Sequence, residues 1–371
     1  MNLKQLKKIR ESLRRGFASG QLYTACSILI MVAMGYYVTY AYSSEPISKT
    51  DFVLDTVATI TIYQENDTQL LEDAFALCRS YESIFSATNP SSELYQLNEQ
   101  FQSQSHTPIP ISYELGNLID SALHFAETSK GAFDPTIGVL TTMWDFTSDT
   151  PTIPEEEHLL AALPLIDYQS LTIDGLSLVN NAAESTNLNP ITITNHMLGT
   201  RIDLGAIAKG YIADQLKVFL LEQGVTSAYI NLGGNIVCIG SKPQNQPFQV
   251  GIQKPFEEYS ELIAQMSVED ASVVTCGIYE RSFSYADQLY HHILNPKTGY
   301  SYVHDLTSVT IISPHSIDGD ALSTICYALG IDEGIALIEA LPEIHGIFID
   351  KQGYITYTKG FQELFDVIEV E

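Results

Sequence analysis

The chain is organised around residues 198–214, which read Leu-Gly-Thr-Arg-Ile-Asp-Leu-Gly-Ala-Ile-Ala-Lys-Gly-Tyr-Ile-Ala-Asp. Residues 200–204 predict a short strand, and the small residues that follow predict a helix that continues to about Gln223. Lys209 and Gly210 stand where this helix begins. Backbone N–H groups at a helix N-terminus attract anions, so a lysine beside a glycine there predicts a phosphate cradle. An ordinary strand-to-helix turn with a solvated lysine is the alternative, since the Gly-x4-Gly-Lys-Ser/Thr spacing of a P-loop is absent.

The N-terminus has the pattern of a membrane anchor. Residues 1–21 contain six Lys or Arg side chains, and no charged residue lies between Arg15 and Glu45. Within this gap, residues 22–42 are mostly apolar and, at ~1.5 Å per residue, long enough to cross a hydrocarbon layer of ~30 Å. We therefore predict one transmembrane helix, with the basic residues in the cytoplasm and the chain from Ser43 onward outside. A cleaved signal peptide is the alternative, although no Ala-x-Ala site follows the apolar run.

The rest of the chain is strongly acidic. A polar linker, residues 43–50, is expected to lead into one folded domain, residues 51–371. The chain has a net charge of −27, and because its first twenty residues carry +5, the remainder carries about −32. Nucleic-acid binding depends on Lys and Arg neutralising phosphates, so this charge argues against a nucleic-acid partner.

The cysteines outside the predicted anchor are widely spaced and contain no Cys-x-x-Cys pair, which argues against a zinc site or a thioredoxin-like motif. One or two disulfides are compatible with an extracytoplasmic location, and buried core thiols are equally compatible. These cysteines are Cys78, Cys238, Cys276 and Cys326.

Strand patterns outnumber regular strand–helix alternation, which predicts an α+β fold with a mixed or antiparallel sheet core and flanking helices. Residues 52–63 are rich in β-branched and aromatic side chains and predict one strand, or two with a bend. Apolar residues at helical spacing predict helices at 68–85 and 112–130, and another helix is expected at 316–330. Residues 168–194 alternate as edge strands do.

Two positions carry side chains suited to catalysis. Asp320 and Thr324 are four residues apart on a predicted helix, so their oxygen atoms lie on one face and suit a hard cation such as Mg²⁺. An N-capping role for Asp320 is the alternative. His291 and His292 are adjacent in a predicted strand and face opposite sides, so at most one of them can reach a given site as a general base. A purely structural histidine is the alternative there.

Two glycine-containing loops are further candidates. Residues 131–138, which include Asp134 and Thr136, predict either a ligand-binding loop or an ordinary Asp-Pro turn. Gly233 and Gly234 follow a predicted strand, and adjacent glycines let the backbone approach a neighbour or a ligand closely.

In combination, these motifs resemble the ApbE family, the FAD:protein FMN transferases. The resemblance covers residues 51–364 and rests on the order and spacing of the motifs rather than on any one of them. In chain order the motifs are Asp55-Thr56, Phe85-Ser86, Ser92-Glu93-Leu94 with Leu97-Asn98, Gly131-Ala132-Phe133-Asp134-Pro135-Thr136 with Trp144, Asp203-Leu204-Gly205-Ala206-Ile207-Ala208-Lys209-Gly210-Tyr211, Gly233-Gly234-Asn235, His292-Ile293-Leu294-Asn295-Pro296-Lys297-Thr298-Gly299 and Asp320-Ala321-Leu322-Ser323-Thr324.

The resemblance implies an enzyme that binds FAD with Mg²⁺ and transfers FMN to a Thr or Ser hydroxyl of a target protein, which forms a phosphoester and releases AMP. It makes Asp320, Thr324 and the backbone carbonyl of Ala206 metal ligands. It makes His292 the base for the target hydroxyl and Lys209 a second catalytic group. The residues that it places against the dinucleotide are Asp134, Thr136, Asp203, Gly205, Lys209, Gly210, Gly233, Gly234, Thr298 and Gly299.

The resemblance also bears on location and partners. The family's acceptors include membrane-bound redox subunits that face outside, so a single-pass protein of the cell membrane with an extracytoplasmic catalytic domain is expected. Departures from the family pattern spare the expected metal ligands. They are Leu54 where methionine is frequent, Cys276 where serine is common, and Asn295 in place of a common aspartate.

Two other functions fit the same sequence. A hydrolase on this scaffold would cleave FAD to FMN and AMP, with water as the acceptor. A non-catalytic protein outside the cytoplasm would only bind flavin, and the presence of Asp320, Thr324 and His292 argues against it.

Overall fold

The computed structural model describes residues 45–63, 67–146, 150–176, 190–258 and 260–370, together with Met31. Apart from Met31, the predicted anchor at 22–42 lies outside the described residues. Among the residues that are described, no helix combines the length and the apolar character needed to span a membrane.

Helices of the described residues agree closely with the predicted ones at 68–85, 112–130 and 316–330. The α-helices are α1 Gln69–Phe85, α2 Glu93–Phe101, α3 Tyr113–Thr128, α4 Gly138–Thr141, α5 Glu156–Ala162, α6 Ala208–Glu222, α7 Ser316–Leu329, α8 Ile331–Glu339 and α9 Phe361–Leu364.

Strands in the same part of the chain form one large sheet and three small ones. They are β1 Ile47–Val53, β2 Thr56–Ile62, β3 Ile109–Pro110, β4 Leu171–Asp174, β5 Thr192–Asn195, β6 Ala228–Leu232, β7 Asn235–Ile239, β8 Phe248–Gln253, β9 Leu262–Val268, β10 Ser272–Gly277, β11 Ser282–Tyr285, β12 Gln288–His291, β13 Leu306–Ser313, β14 His345–Asp350, β15 Ile355–Tyr357 and β16 Val367–Glu369.

The large sheet has the order β1-β2-β6-β7-β10-β13-β14-β15 in the described ranges, and every neighbouring pair is antiparallel. The small sheets are β16-β9-β8, β3-β5-β4 and β11-β12. This architecture confirms the predicted α+β fold with an antiparallel sheet core.

The large sheet is covered on both faces. Successive residues of a strand point to opposite sides, and in β13 Val309 and Ile311 pack into the core under the helices while Ile312 packs against the small sheet β16-β9-β8. Every residue of β13 is buried. A third, smaller core surrounds Trp144 and joins α4 and α5 to β12.

The first strand begins earlier than we predicted. Residues 47–50, which we assigned to a linker, belong to β1, so the folded domain starts before residue 51. Residues 52–63 form parts of two strands joined at Leu54 and Asp55, whose φ angles are +56° and +54°. One face of β1 carries charged side chains that pair with α1, so the sequence shows no apolar alternation there.

The strand predicted at 200–204 is not formed. Among the described residues, its one ladder contact is a bridge between Arg201 and Ile137. The side-chain amide of Asn98 takes the place of a partner strand, because its Nδ2 donates to the carbonyl of Ile202 at 2.8 Å and its Oδ1 accepts from the N–H of Ile202 at 2.7 Å. Both backbone groups of Ile202 are thereby satisfied without a sheet.

The four cysteines outside the predicted anchor are all free thiols. Cys78, Cys238 and Cys326 are buried, and Cys276 is half-buried. The core-thiol alternative therefore holds for the described part of the chain, and none of these four residues forms a disulfide.

Candidate active site

The site is built where helices α6 and α7 touch. Gly210 of α6 has no side chain, and a Cβ there would lie 2.4 Å from the carbonyl oxygen of Ser316 and 2.7 Å from the Cβ of Asp320. The N–H of Gly210 donates to Asp320 Oδ2 at 2.8 Å. One turn later, the carboxylate of Asp214 accepts from the N–H groups of Ser316 and Ile317 at 2.8 and 2.9 Å. Helix α6 therefore both caps α7 and positions Asp320.

Asp320 is a buried acid without a neutralising contact. Asp320 is only 6% exposed to solvent. Burial raises its carboxyl pKa, and this effect is opposed first by the charge of Lys209 and then by the Gly210 N–H. In the described ranges no cationic side chain lies within the 4.0 Å of an ion pair with it. Because a lone buried charge is costly, this carboxylate suits a bound cation.

Of the other expected metal ligands, Thr324 lies one helix turn from Asp320, and Ala206 precedes the helix that contacts it. Thr324 is half-buried one turn further along α7, with its Oγ1 3.5 Å from the carbonyl oxygen of Asp320 and 3.7 Å from Cys276 Sγ. Ala206 is half-buried in the turn that leads into α6, four residues before Gly210. Among the described residues, no three His, Cys, Asp or Glu side chains gather as a metal site. The expected set contains one carboxylate, one hydroxyl and one carbonyl.

Lys209 acts on two carboxylates. Its charge opposes the raised pKa of both Asp320 and Glu280, so the ammonium is close enough to act on both carboxyl groups. Burial is the main cause of the raised pKa of Glu280, although its side chain is open to solvent. Lys209 itself forms no ion pair within 4.0 Å in the described part of the chain, so its charge is available to a bound anion.

The two adjacent histidines differ in burial and in hydrogen-bond partners. His291 is 3% exposed and its Nε2 bonds to the carbonyl of Tyr302 at 2.8 Å, which makes it structural. His292 is half-exposed, and its Nδ1 is 3.3 Å from the carbonyl of Arg281. A carbonyl only accepts, so this bond puts the proton on Nδ1 and leaves Nε2 as the basic atom. Burial lowers the pKa of His292 to about 3, and the charge of His291 adds to the effect.

Asp134 and Thr136 are engaged with their own loop. Asp134 Oδ1 accepts from the N–H and the hydroxyl of Thr136 at 2.8 and 2.6 Å, and Oδ2 accepts from the N–H of Tyr168 at 3.1 Å. Asp203 accepts from the N–H of Gly205 at 2.8 Å and from the hydroxyl of Thr141 at 2.7 Å. These side chains shape two turns, which a bond from Asp203 N to the carbonyl of Pro135 holds together.

The remaining predicted residues lie in tight turns. Gly233 has a φ of +61°, and a Cβ there would lie 2.1 Å from Thr56 Oγ1, so the β6–β7 turn requires glycine. Gly234 follows it in the same turn. The carbonyl of Gly299 accepts from the indole N–H of Trp144 at 2.8 Å, while Thr298 is exposed. The structure thus brings together Asp320, Gly210, Lys209 and Thr324, and their contact with a dinucleotide stays a prediction.

The sequence profile of the ApbE family matches residues 54–348. The chain belongs to the ApbE family. A FAD:protein FMN transferase of Treponema pallidum (strain Nichols) is 32% identical over 334 residues, which are 87% of this chain and 89% of that protein. One of Klebsiella pneumoniae (strain 342) is 32% identical over 286 residues, 77% of this chain and 84% of the relative. The crystal structure of the ApbE protein from Thermotoga maritima superposes with a TM-score of 0.74 at 27% identity, covering 88% of this chain and 100% of that one.

Sequence reasoning missed two residues of the site in this ApbE-family chain. Asp214 stands four residues after Gly210, a spacing that puts both on one helix face, so its role could have been inferred. Glu280 carried no such signal, because it lies far from Lys209 along the chain and only the fold brings the two together.

Proposed function

We propose that this chain is a Mg²⁺-dependent flavin transferase that moves FMN from FAD to a Thr or Ser hydroxyl of another protein. The bond formed is a phosphoester, and AMP leaves. The observation that carries the proposal is the contact of α6 with α7, where the charge of Lys209 acts on the buried, unneutralised carboxylate of Asp320. Relatives with 32% identity are named FAD:protein FMN transferases, which supports the same reaction here.

The donor atoms at this contact suit Mg²⁺. The carboxylate of Asp320, the hydroxyl of Thr324 and the carbonyl of Ala206 would hold the ion, and all three are the oxygen ligands that a hard cation prefers. When bound, the ion would stabilise negative charge on the phosphate oxygens. The buried Asp320 would gain a counter-charge from the same ion.

His292 and Lys209 have separate roles in this proposal. His292 Nε2 takes the proton of the acceptor hydroxyl as its oxygen bonds to the phosphorus of FMN, and the bond from that phosphorus to the bridging oxygen of AMP breaks. Lys209 stabilises the charge on the phosphate oxygens. The low pKa of His292 in the free protein keeps the imidazole neutral. The negative charge of a bound pyrophosphate would raise this pKa toward neutrality, where a general base is most effective.

Hydrolysis of FAD to FMN and AMP is a second candidate. His292 is half-buried rather than sealed from solvent, so water could reach the position that the acceptor hydroxyl would occupy. The two reactions use the same groups and differ only in what is deprotonated.

Intact-protein mass spectrometry tests the proposal. The full chain is incubated with FAD and a candidate acceptor domain, in Mg²⁺ or in EDTA, and the acceptor is then weighed. A Mg²⁺-dependent gain of one FMN on a Thr or Ser is the expected result. Free FMN and AMP beside an unmodified acceptor would favour the hydrolase. If FAD is not cleaved at all, both enzymatic functions fail and a flavin-binding protein is left.

A pair of lysine variants on α6 separates catalysis from general charge effects. Lys209→Gln should lose FAD cleavage and transfer. Lys217→Gln is the matched control, because Lys217 lies on the same helix and pairs with Asp270 at 3.1 Å. Equal activity in the two variants would remove Lys209 from the mechanism.

We also propose, from the pattern of residues 1–42, that the enzyme is a single-pass membrane protein with its catalytic domain outside the cytoplasm. The acceptor would then be a redox subunit of the same membrane. Protease treatment of intact spheroplasts should degrade the domain, and protection of the domain until lysis would refute this orientation.

A further inference from the structure

A two-stranded hairpin, β11-β12, connects Glu280 and Arg281 to His292. β11 and β12 pair only with each other among the described residues. The chain enters β11 directly from Glu280 and Arg281, and it leaves β12 at His292, so both ends of the hairpin carry residues of the site. The middle of the hairpin is open to solvent, and Tyr285 is 62% exposed.

The pairing register shows which backbone groups point outward. In an antiparallel ladder, hydrogen-bonded pairs alternate with pairs whose N–H and C=O groups point away from each other. The N–H of His292 donates to the carbonyl of Arg281 at 3.1 Å, so the next pair, Ser282 with His291, points outward. The pair of Ser284 with Leu289 points outward for the same reason.

The two outer edges of the hairpin differ. On the β12 side, Ser301 occupies the edge: the N–H of His291 donates to Ser301 Oγ at 2.8 Å, and that hydroxyl donates to the carbonyl of His291 at 2.6 Å. On the β11 side, the backbone groups of Ser282 and Ser284 have no hydrogen-bond partner in the described part of the chain. Ser284 is exposed, and Ser282 is half-buried. An unpaired edge of this kind is a template for another strand.

We propose that the outer edge of β11 binds an extended segment of the acceptor protein as an added strand. This inference rests on the proposed function, which requires a polypeptide to bring a Thr or Ser hydroxyl to His292. A strand that runs along β11 toward Ser282 leads to Arg281, which is paired with His292. Main-chain hydrogen bonds supply the affinity in this mode of recognition, so the edge sets the direction and register of the acceptor.

The position of the edge favours an acceptor over a second copy of this chain. A second copy paired here would cover the β11 edge next to Arg281, the residue whose carbonyl accepts from the N–H of His292. An acceptor segment would occupy the same edge only until its hydroxyl has reacted. The β12 edge offers no such route, because Ser301 already occupies it beside His291.

A proline at position 284 tests the edge. Ser284→Pro removes one outward N–H without touching a bond between β11 and β12, and proline is tolerated at strand edges. Loss of one or two main-chain bonds predicts a rise in KM for the acceptor of about 10-fold. Ser284→Ala keeps the N–H and is the matched control, expected to stay within about 2-fold of wild type. FAD affinity reports on whether the site is intact. A wild-type KM in the proline variant overturns the proposal.

A second measurement leaves the enzyme unchanged. The probe is a Thr-containing peptide cut from the acceptor domain that gains FMN in the mass-spectrometric assay, resynthesised with one N-methyl group at each backbone position in turn. An added strand predicts that transfer falls at every second position. Uniform tolerance, or loss at every position, overturns the proposal even if Ser284→Pro does not fold.

Two further outcomes keep this inference separate from the proposed function. If the wild-type chain cleaves no FAD and labels no acceptor, the proposed function fails and the edge loses its occupant. If wild type transfers FMN, sediments as a dimer, and becomes a monomer with unchanged KM on Ser284→Pro, the edge is an interface between copies and the acceptor proposal is wrong.

Discussion

Replacing Gly210 with alanine should loosen the helix contact on which the whole site depends. The new Cβ would lie 2.4 Å from the carbonyl oxygen of Ser316 and 2.7 Å from the Cα of Ile317, and neither backbone atom can rotate away. Ordinary contact begins at 3.4 Å. The two helices must therefore separate by about 1 Å, which would lengthen the 2.8 Å bond from Gly210 N to Asp320 Oδ2 beyond hydrogen-bonding range.

The expected change in the free energy of unfolding of Gly210→Ala combines two opposing effects. Overpacking of a close contact costs about 1–3 kcal/mol, while alanine gains up to ~1 kcal/mol over glycine in a helix interior. The expected net loss is about 1–2 kcal/mol, or roughly 2–5 °C in Tm for a domain of this size. Activity should fall more steeply than stability, because a displacement of about 1 Å at a catalytic group can cost ~10²-fold.

Thermal melting and Mg²⁺-dependent FAD turnover measure the two effects. Val218→Ala is a control on the same helix, since Val218 is 48% exposed and its truncation should change neither. If Gly210→Ala has the Tm of wild type and turns over FAD at the wild-type rate, then close packing of α6 on α7 does not depend on Gly210, and Gly210 does not position Asp320.

Three further predictions concern buried charges. Asp320→Asn removes a buried anion, so metal-free calorimetry should find the variant at least as stable as wild type, while the Mg²⁺-induced rise in Tm disappears; a marked loss of metal-free stability would contradict this. Asp214→Ala leaves two N–H groups at the start of α7 without an acceptor and should cost about 2 kcal/mol in urea unfolding, with Asp214→Asn intermediate. Burial lowers the pKa of His291 from 6.5 to about 4, so the unfolded chain binds more protons between these values. The contribution of His291 to the free energy of unfolding is therefore fully present above pH ~6.5. It decreases by on the order of 3 kcal/mol as the pH drops toward 4, and His291→Gln should flatten this pH dependence in denaturation curves.

The sequence predicted the elements whose apolar residues repeat clearly. Helix α1 spans Gln69–Phe85 against an expected 68–85, because its buried side chains recur at helical spacing. Strand β1 was missed at its start, since the face that meets α1 carries Lys49 and Asp51 in place of apolar residues. Lys49 pairs with Glu72, and Asp51 pairs with Arg79 at 3.1 Å. Ion-paired side chains can cover one face of a strand, as apolar side chains do. A search for alternating hydrophobic residues does not detect such a strand.

The candidate site was predictable where two residues share one helix turn. Asp320 and Thr324 belong to α7, so their common face followed from their spacing. The contact of Gly210 with Asp320 joins two helices that are distant along the chain, and it depends on the absence of a side chain, which a sequence shows only as a glycine. Glu280 could not be predicted at all, because it is distant from Lys209 along the chain and only the folded structure lets the charge of Lys209 act on it.

The opening motif serves two purposes at once. Lys209 supplies a positive charge to the candidate site. Gly210 and Asp214, which are four residues apart on one face of α6, contact the first two turns of α7. A phosphate cradle made only of free N–H groups would need no such partner. Here the N–H of Gly210 donates to Asp320. In the proposed function, the charge that binds the phosphates would therefore come from Lys209 and from a cation held by Asp320. The motif thus fixes the position of Lys209 relative to Asp320. In the proposed function, the distance between these two side chains decides whether one phosphate group can contact both the ammonium and a cation held by the carboxylate.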